Sequence, residues 1–474
     1  MEEDVCAGDW RLGLTLDDRV AALAETVGDA PSAPRRYRER WRVQRRDDLA
    51  RVRNLDALIA AEPPWWRQFW DIYRASEGIA RTSEHGFLAA LDPIIAAATV
   101  AVRLQLSCSN SSLLPNAGEP LELLLSSLAQ SLRDRLSFAV TKTFVLELGV
   151  ARRAGLLKGD TPEARFSFFC DCLEDPRFAS RLLAQYPMLV RRCIGMAAGW
   201  QQAAVTLLAR IASAEANLIS FFFSDAHPGR CTSVEASGDV HGCGQAVHVL
   251  SFASGAKLVY KPRPMAMERC YYDLVAWLND RGLCPDLKVV RTLEEDAFGW
   301  MEFVPVAPCD TTADVAGFYT RVGAHLVLTC VLGGTDLHSE NVIANGEHPV
   351  PVDLETLFHL APLPEDLSGA TARGWLELRR SVVRTLLLPG VSRFGDDPKD
   401  FIDLSALGHA GEQLTPSPVA GWARAATDRM RLIYERAHIP PGFSLPQLAS
   451  QQVPSGAYVD DVSGRLSHSV ARAE

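Results

Sequence analysis

Two carboxylates and one amide stand in the order that phosphoryl transfer requires. Asp336 lies in the segment Gly-Gly-Thr-Asp-Leu-His-Ser-Glu-Asn-Val-Ile, Asn341 follows five residues later, and Asp353 follows seventeen residues later. Transfer of a phosphoryl group from ATP needs one carboxylate at the acceptor hydroxyl, and a second carboxylate with an amide oxygen to hold Mg²⁺ against the phosphates. The sequence therefore predicts a site that uses ATP and Mg²⁺.

Apolar segments flank these polar residues on both sides. The run from 324 to 332 is typical of a buried helix, and a second run that ends at Val352 is typical of a short buried strand. The polar side chains then lie at the ends of elements, where functional sites are built. An Asp-x-His-x-x-Asn pattern is a weak signal alone, and these flanking elements give it weight.

A glycine-rich hairpin is predicted between residues 237 and 261. Its two strands are predicted at 246–252 and 257–261 with a turn at 254–256 between them, so that Asp239, His241, Gly242 and Gly244 precede the first strand and Lys261 ends the second. Glycines at such a turn allow backbone N–H groups to approach phosphates, although an ordinary glycine-rich hairpin has the same pattern. The strand lysine favours the first alternative, because kinases place a phosphate-contacting lysine on a strand after their glycine-rich loop.

The segments after Lys261 follow the order of a kinase core. An amphipathic helix is predicted over 267–280, and Glu268 in its first turn would either pair with Lys261 or interact only with the helix dipole. Residues 299–304 resemble the strand and hinge on which adenine lies, so Glu302 is predicted to bind the nucleotide. A helix over 315–330 then leads to the polar loop.

Composition and charge exclude several classes of protein. The chain has 474 residues, of which 47% are hydrophobic and 22% charged, as in globular proteins. Its net charge of −10 argues against nucleic-acid binding, which needs accumulated Lys and Arg. The acidic start is no secretory signal, and no uninterrupted apolar run reaches about 18 residues. We therefore expect a cytoplasmic enzyme without a membrane span. A structural zinc site would need two closely spaced pairs of Cys or His. The 11 cysteines include only one close pair, Cys170 and Cys172, so we do not expect such a site.

Taken together, these segments resemble the dehydratase domain of class II lanthipeptide synthetases, the LanM family. The motif Tyr-Lys-Pro-Arg at 260–263 is similar to a signature of that family. The stretches 334–344 and 352–358 are similar to its catalytic block nearly residue for residue. The similarity extends from about residue 140 to about residue 460.

The resemblance implies an α+β fold with a two-lobed core close to lipid kinases and a long, mostly helical N-terminal extension. Residues 1–230 would form the helical region, 231–305 the N-lobe with the glycine-rich hairpin, and 306–474 the C-lobe, incomplete at its C-terminus. The prolines after residue 362 suggest short helices separated by loops there.

The resemblance also implies a role for each matched residue. Lys261 would contact the phosphates, Asp336 would be the catalytic carboxylate, and Asn341 and Asp353 would bind the metal. His338 would orient the catalytic loop.

The resemblance also implies roles for two residues of the glycine-rich segment. Asp239 and His241 match a family pair tied to phosphate elimination and to nucleotide handling. A histidine there suits acid–base work near neutral pH, whereas a turn-stabilising aspartate is the alternative explanation of Asp239.

The implied activity is phosphorylation of Ser and Thr in a precursor peptide, followed by elimination of phosphate to dehydroalanine and dehydrobutyrine. The family's further dehydratase segment and zinc-dependent cyclase domain would lie beyond Glu474, so we expect an impaired elimination step. A separate C-terminal dehydratase and cyclase polypeptide is a further candidate partner. Two other functions fit parts of the sequence: a small-molecule phosphotransferase of the aminoglycoside type, and a non-catalytic remnant that binds a peptide.

Overall fold

The structure is a computed structural model. It describes residues 62–77, 86–241, 244–358, 369–390, 392–393, 401–408 and 413–455. The arginine-rich run at 35–53 lies outside these residues. The described chain forms two compact units. The first contains the residues up to Lys257 and the segment Ala420–Glu435, and the second contains Leu258–Val419 and the residues from Arg436 onward.

The first unit is built mainly from helices. They are α1 (Pro64–Ala75), α2 (Asp92–Ser107), α3 (Gly118–Arg153), α4 (Pro162–Glu174), α5 (Pro176–Ala184) and α6 (Pro187–Phe223), with a 3₁₀ turn at Phe87–Leu91. Proline stands in the first turn of α1, α4, α5 and α6, where a helix has no use for the missing N–H group. Helix α1 begins at Pro64, and the described residues before 224 are mainly helical.

A β-hairpin follows these helices. Strands β1 (Cys231–His241) and β2 (Gln245–Phe252) pair antiparallel, with Val234 opposite Leu250. The hydroxyl of Ser127 in α3 accepts a hydrogen bond of 2.7 Å from the N–H of Val234 and donates one of 2.8 Å to its carbonyl. One helical side chain therefore satisfies both backbone groups of a strand residue and fixes the hairpin on α3.

Two described helical segments, Phe87–Ser107 and Pro187–Phe223, are long and apolar enough to cross a membrane by length and composition. The expectation from uninterrupted apolar runs missed them because single polar residues, such as Asp92 and Arg103, divide them. About half of the most apolar 18-residue window is buried in the first segment, and about a third of that window in the second. Core helices of globular proteins pass the same test, so this observation says little about a membrane.

The second unit holds the predicted polar loop. Its main elements are β3 (Lys257–Lys261), α7 (Ala266–Asp280), β4 (Thr292–Glu295), β5 (Phe298–Glu302), α8 (Thr312–Val331), β6 (Val342–Asn345) and β7 (His348–Pro351). Strand β5 pairs antiparallel with β3 on one side and with β4 on the other, and β6 and β7 form a separate hairpin. The predicted helices over 267–280 and 315–330 and the predicted strand that ends near Val352 are confirmed, with bounds that agree to within a few residues.

One apolar core holds these elements together. Tyr272 and Val275 of α7 belong to the same buried cluster as Phe318 of α8 and Val350 of β7. The cluster also includes Leu337, inside the predicted catalytic loop. Burying Leu337 fixes the polar residues on either side of it, so packing and site geometry are coupled at this point.

The proline-rich C-terminal part differs from the prediction of short helices. Its described residues contain helix α9 (Gly369–Arg380) and a 3₁₀ turn at Val382–Thr385. The remaining elements are short antiparallel pairs: β8 (Ser392–Arg393) with β9 (Phe401–Ile402), β10 (Gln413–Leu414) with β13 (His438–Ile439), β11 (Val419–Ala423) with β12 (Arg431–Glu435), and β14 (Gln447–Leu448) with β15 (Gln451–Gln452). Proline removes an N–H donor and so disfavours helix interiors, whereas short edge strands tolerate it.

Candidate functional site

The predicted catalytic loop begins where α8 ends at two glycines. Gly333 adopts a left-handed φ of +79°, and the N–H of Gly334 donates to the carbonyl of Thr329 at 2.9 Å, which terminates the helix. A Cβ atom at Gly334 would lie 2.5 Å from Cγ2 of Thr329 and 3.0 Å from Cδ2 of Leu357. Only glycine fits at this position, so the turn that positions Asp336 depends on Gly334.

Backbone hydrogen bonds hold the loop on both sides. The N–H of Leu337 donates to the carbonyl of Thr385 at 2.8 Å, and the N–H of Ser339 donates to that of Leu404 at 3.0 Å. The N–H of Val352 donates to the carbonyl of Asn341 at 2.9 Å, which joins the loop to the segment that carries Asp353. Three separate parts of the second unit thus position one short loop.

Asp336 and His338 lie close together on this loop. Nε2 of His338 is 4.0 Å from Oδ1 of Asp336, whose side chain is about 45% exposed. Desolvation raises the pKa of Asp336, the charge of His338 opposes this, and the carboxylates of Asp353 and Glu355 raise the pKa further. A carboxylate with a raised pKa is a better proton acceptor than a free aspartate, which suits a base that meets a hydroxyl group.

Asn341 is fixed by its own loop. Its Nδ2 group donates to the carbonyl of Asp336 at 2.8 Å and lies 3.1 Å from Nε2 of His338. These two contacts fix the amide through its nitrogen. The predicted role of His338 in orienting the loop is consistent with this contact.

Lys261, at the end of β3, is almost completely buried. Its Nζ is 3.1 Å from Oε1 of Glu268 in the first turn of α7, and it also donates to the carbonyl of Val352. Burial by itself raises the pKa of Glu268, but the charges of Lys261 and Arg263 and the hydrogen bonds from Arg263 outweigh it and lower the pKa. Of the two sequence interpretations of Glu268, the ion pair with Lys261 is the one present.

Arg263, two residues after Lys261, joins the same cluster. Its guanidinium binds both carboxylate oxygens of Glu268, at 2.6 and 3.2 Å, and also donates to Oδ1 of Asp353. Its Nε is 3.3 Å from Glu355. Lys261 and Arg263 therefore lie between the buried carboxylate of α7 and the two acidic residues that follow β7.

The donor set suits Mg²⁺ better than a softer metal. Asp353 supplies a carboxylate and Asn341 an amide oxygen, the hard oxygen ligands that Mg²⁺ prefers, and Mg²⁺ commonly takes only one or two protein ligands beside phosphates and water. Among the described residues, no three His, Cys, Asp or Glu side chains are grouped as a site made of protein ligands alone would require. The residues present thus fit a metal that is shared with a phosphate ligand.

The remaining predicted nucleotide-binding residues lie outside this cluster or outside the described residues. Asp239 and His241 belong to the end of β1, but their side chains, and Gly242, lie outside the described part of the chain. Gly244 has φ of +98°, and a Cβ atom there would lie 3.0 Å from the backbone of Gly199 and Trp200. This close approach to α6 is enough to require glycine. Its nucleotide role stays a prediction.

Glu302, the last residue of β5, has a partner of its own. Its carboxylate is 3.0 Å from Nε of Arg291, and its N–H donates to the carbonyl of that residue at 2.9 Å. The side chain is thus engaged beside β4, and a role in nucleotide binding stays a prediction.

Comparison with known proteins places these motifs in a family. The model of a family described as "Domain of unknown function (DUF4135)" matches residues 186–468, more than half of the chain. The chain belongs to the DUF4135 family. This domain is found in class II lanthipeptide synthetases, so the resemblance predicted from the motifs is confirmed.

A curated relative supports the same assignment. The chain is 26% identical over 285 residues to the "Lacticin 481/lactococcin biosynthesis protein LcnDR2" of Lactococcus lactis subsp. lactis. The match covers 57% of this chain and 30% of the relative, so the chain spans about a third of that protein's length.

Sequence reasoning on this DUF4135 member missed two charged residues of the cluster. In the sequence, Arg263 stands out only as part of the motif at 260–263, and Glu355 only as part of the stretch 352–358. The signal for Arg263 in the sequence is its place in the Tyr-Lys-Pro-Arg motif, two residues after the strand lysine. No comparable signal exists for Glu355, because its contact with Arg263 depends on how the segment after β7 folds.

Proposed function

We propose that this chain transfers the γ-phosphoryl group of ATP to Ser and Thr hydroxyls of a lanthipeptide precursor peptide, the first step of dehydration. The observation that carries the proposal is the cluster in which Lys261, Glu268 and Asp353 meet beside the loop of Asp336 and Asn341. Membership of the DUF4135 family and the similarity to a lantibiotic biosynthesis protein support the peptide as substrate.

The proposed role of each residue follows from its surroundings. Lys261 is held by a buried carboxylate, so its ammonium group is fixed where phosphate oxygens would need it. Asn341 and Asp353 would hold Mg²⁺, which neutralises charge on the phosphates when bound. Asp336, with its raised pKa, would accept the proton of the substrate hydroxyl as that oxygen bonds to the γ-phosphorus and the bond from this phosphorus to the bridging oxygen breaks, which releases ADP.

The proposed fold is a kinase-like arrangement close to lipid kinases. The antiparallel sheet β4–β5–β3, the helix α7 paired to the β3 lysine, and the loop after α8 support it, because kinases use a strand lysine paired with a helix glutamate. The precursor peptide would be the partner.

Intact-mass measurement tests the proposed function. The purified chain is incubated with Mg²⁺, ATP and a lanthipeptide precursor peptide that contains Ser and Thr. We expect a gain of about 80 Da per modified residue, the mass of one phosphoryl group, and tandem spectra should place it on Ser or Thr. If elimination also occurs, the peptide instead loses water in the presence of ATP. An unchanged peptide together with rapid phosphorylation of an aminoglycoside would contradict the proposal and favour a small-molecule phosphotransferase.

A further inference from the structure

Arg263 and Lys261 share an oxygen of Asp353 as well as one of Glu268. The guanidinium of Arg263 hydrogen-bonds Oδ1 of Asp353, and Nζ of Lys261 lies 3.8 Å from the same atom. A divalent cation bound to Asp353 would therefore stand beside two positive charges. Like charges a few ångströms apart repel one another even when the effective dielectric constant is moderate. Metal binding at Asp353 and the contact between Arg263 and Asp353 therefore oppose each other.

The cluster allows Arg263 to release Asp353 at little cost. Glu268, which is completely buried, has Lys261 as a second partner at 3.1 Å, so it keeps an ion pair whichever way Arg263 turns. Arg263 is about 26% exposed, so its guanidinium is partly open to a ligand. The side chain is thus anchored by a buried acid and borders the predicted phosphate site.

The chemistry of a freed guanidinium favours phosphate. Arginine presents a planar fork of N–H donors that matches two phosphate oxygens, and such charge-assisted hydrogen bonds are about twice as strong as neutral ones. Lys261 supplies one ammonium only. When a triphosphate binds together with its metal ion, the metal would bind Asp353. The anionic phosphate oxygens could then accept hydrogen bonds from Arg263.

We propose that Arg263 is a second phosphate-binding side chain of this site, and that it exchanges Asp353 for a phosphate oxygen of the nucleotide when a divalent cation takes Asp353. The inference rests on the proposed function. The exchange makes metal binding and nucleotide binding cooperative. The cation alone must compete with Arg263 for Asp353. When the triphosphate binds as well, the cation pairs with Asp353 and Arg263 pairs with a phosphate oxygen.

An Arg263→Gln variant separates this role from a purely structural one. Without nucleotide, Mn²⁺ affinity, measured by electron paramagnetic resonance, should rise about tenfold, because a competing charge has gone. At saturating Mg²⁺, ATP affinity measured by calorimetry should fall about tenfold or more, the scale of one charged hydrogen bond. A destabilised cluster would weaken both ligands, so opposite signs are the signature of exchange.

Arg269→Gln is the matched control. Arg269 also pairs with a glutamate, Glu294 at 2.6 Å, but on the exposed side of α7. We expect neither affinity to change. If Arg263→Gln fails to fold, Arg263→Lys keeps a positive charge for Glu268 but lacks the planar fork of N–H donors, so ATP affinity at saturating Mg²⁺ should still fall, and an unchanged ATP affinity would overturn the exchange.

The outcomes separate this inference from the proposed function. If wild type binds Mg-ATP but Arg263→Gln weakens or leaves unchanged both affinities, the exchange is overturned and the nucleotide site stands. If wild type binds no Mg-ATP, the proposed function and the exchange are both overturned. Opposite changes in the two affinities, with Asp353→Asn losing Mn²⁺ binding, support the exchange.

Discussion

The ammonium of Lys261 lies 3.1 Å from the carboxylate of Glu268, which is completely buried. A buried charge is stable only while its partner is present, because desolvation costs several kcal/mol per ion. Strand β3 and helix α7 are thus joined by a buried ion pair, and removal of either partner alone destabilises the fold. The same contact fixes the lysine that the proposed mechanism places at the phosphates.

Glu268→Gln should destabilise the second unit. The change leaves Lys261 and Arg263 without their shared buried anion, and breaking a buried pair costs about 3 kcal/mol or more. Chemical denaturation followed by circular dichroism measures the difference. The matched control is Glu294→Gln, which removes the partly exposed partner of Arg269 and should cost less than about 1 kcal/mol. Equal losses in both variants would contradict the importance of the buried pair.

The pH dependence of this loss follows from the lowered pKa of Glu268. Its ordinary value is 4.5, and the folded value lies below it, so the carboxylate stabilises the fold fully above the unfolded pKa. That contribution disappears as the pH falls through the folded pKa. The difference in unfolding free energy between wild type and Glu268→Gln should therefore be constant above about pH 5 and shrink at lower pH. A difference that grows on acidification is the contrary result.

Asp336→Asn should impair phosphorylation without preventing nucleotide binding. The asparagine keeps the shape of the side chain but accepts no proton, and loss of a positioned general base costs about 10² or more in rate. Because the pKa of Asp336 is raised, wild-type activity should decline with acidification at a higher pH than for a free aspartate. Single-turnover rates measured from about pH 8 down to about pH 4, the range of a free aspartate, decide this, and a variant as fast as wild type would make the carboxylate structural.

Gly334→Ala should damage both stability and activity. The added methyl group would lie 2.5 Å from Cγ2 of Thr329, closer than real Cβ contacts come, and 3.0 Å from Cδ2 of Leu357, which is a tight contact. Overpacking of this kind costs about 1–3 kcal/mol. Gly195→Ala is the control: it lies in α6 with no atom within 4 Å of the added carbon, and should stabilise that helix by up to about 1 kcal/mol. Thermal unfolding and phosphorylation rate are measured for both. Wild-type activity in Gly334→Ala would show that the turn tolerates a shift.

Individual helices and strands could be predicted from the sequence better than the contacts between residues that are distant in the chain. The helix over 315–330 and the strand at Lys261 follow from periodicity and flanking glycines, which are local signals. The contacts of Arg263 with Asp353 join residues that are ninety apart in the chain, and no local pattern encodes such a pair. The C-terminal strand pairs were missed for a related reason: two-residue strands are too short to show a period of two.

The double variant Lys261→Ala/Asp353→Asn should lose Mg-ATP affinity. It removes the ammonium group proposed at the phosphates and one proposed metal ligand, each an interaction with a charged group worth about 1.5–3 kcal/mol. Calorimetry should show an affinity at least a hundredfold weaker, with a circular dichroism spectrum that confirms folding. Unchanged affinity in the folded variant would remove both residues from the nucleotide site.

Transfer of label from ATP tests the central claim most directly. The chain is incubated with its precursor peptide, Mg²⁺, and ATP labelled with ³²P at either the γ or the α position. The account predicts label from the γ position only, first in the peptide and then, if elimination follows, in peptide-dependent inorganic phosphate, with a large reduction in Asp336→Asn. Label from the α position, or equal γ labelling by wild type and Asp336→Asn, would contradict γ-phosphoryl transfer through Asp336.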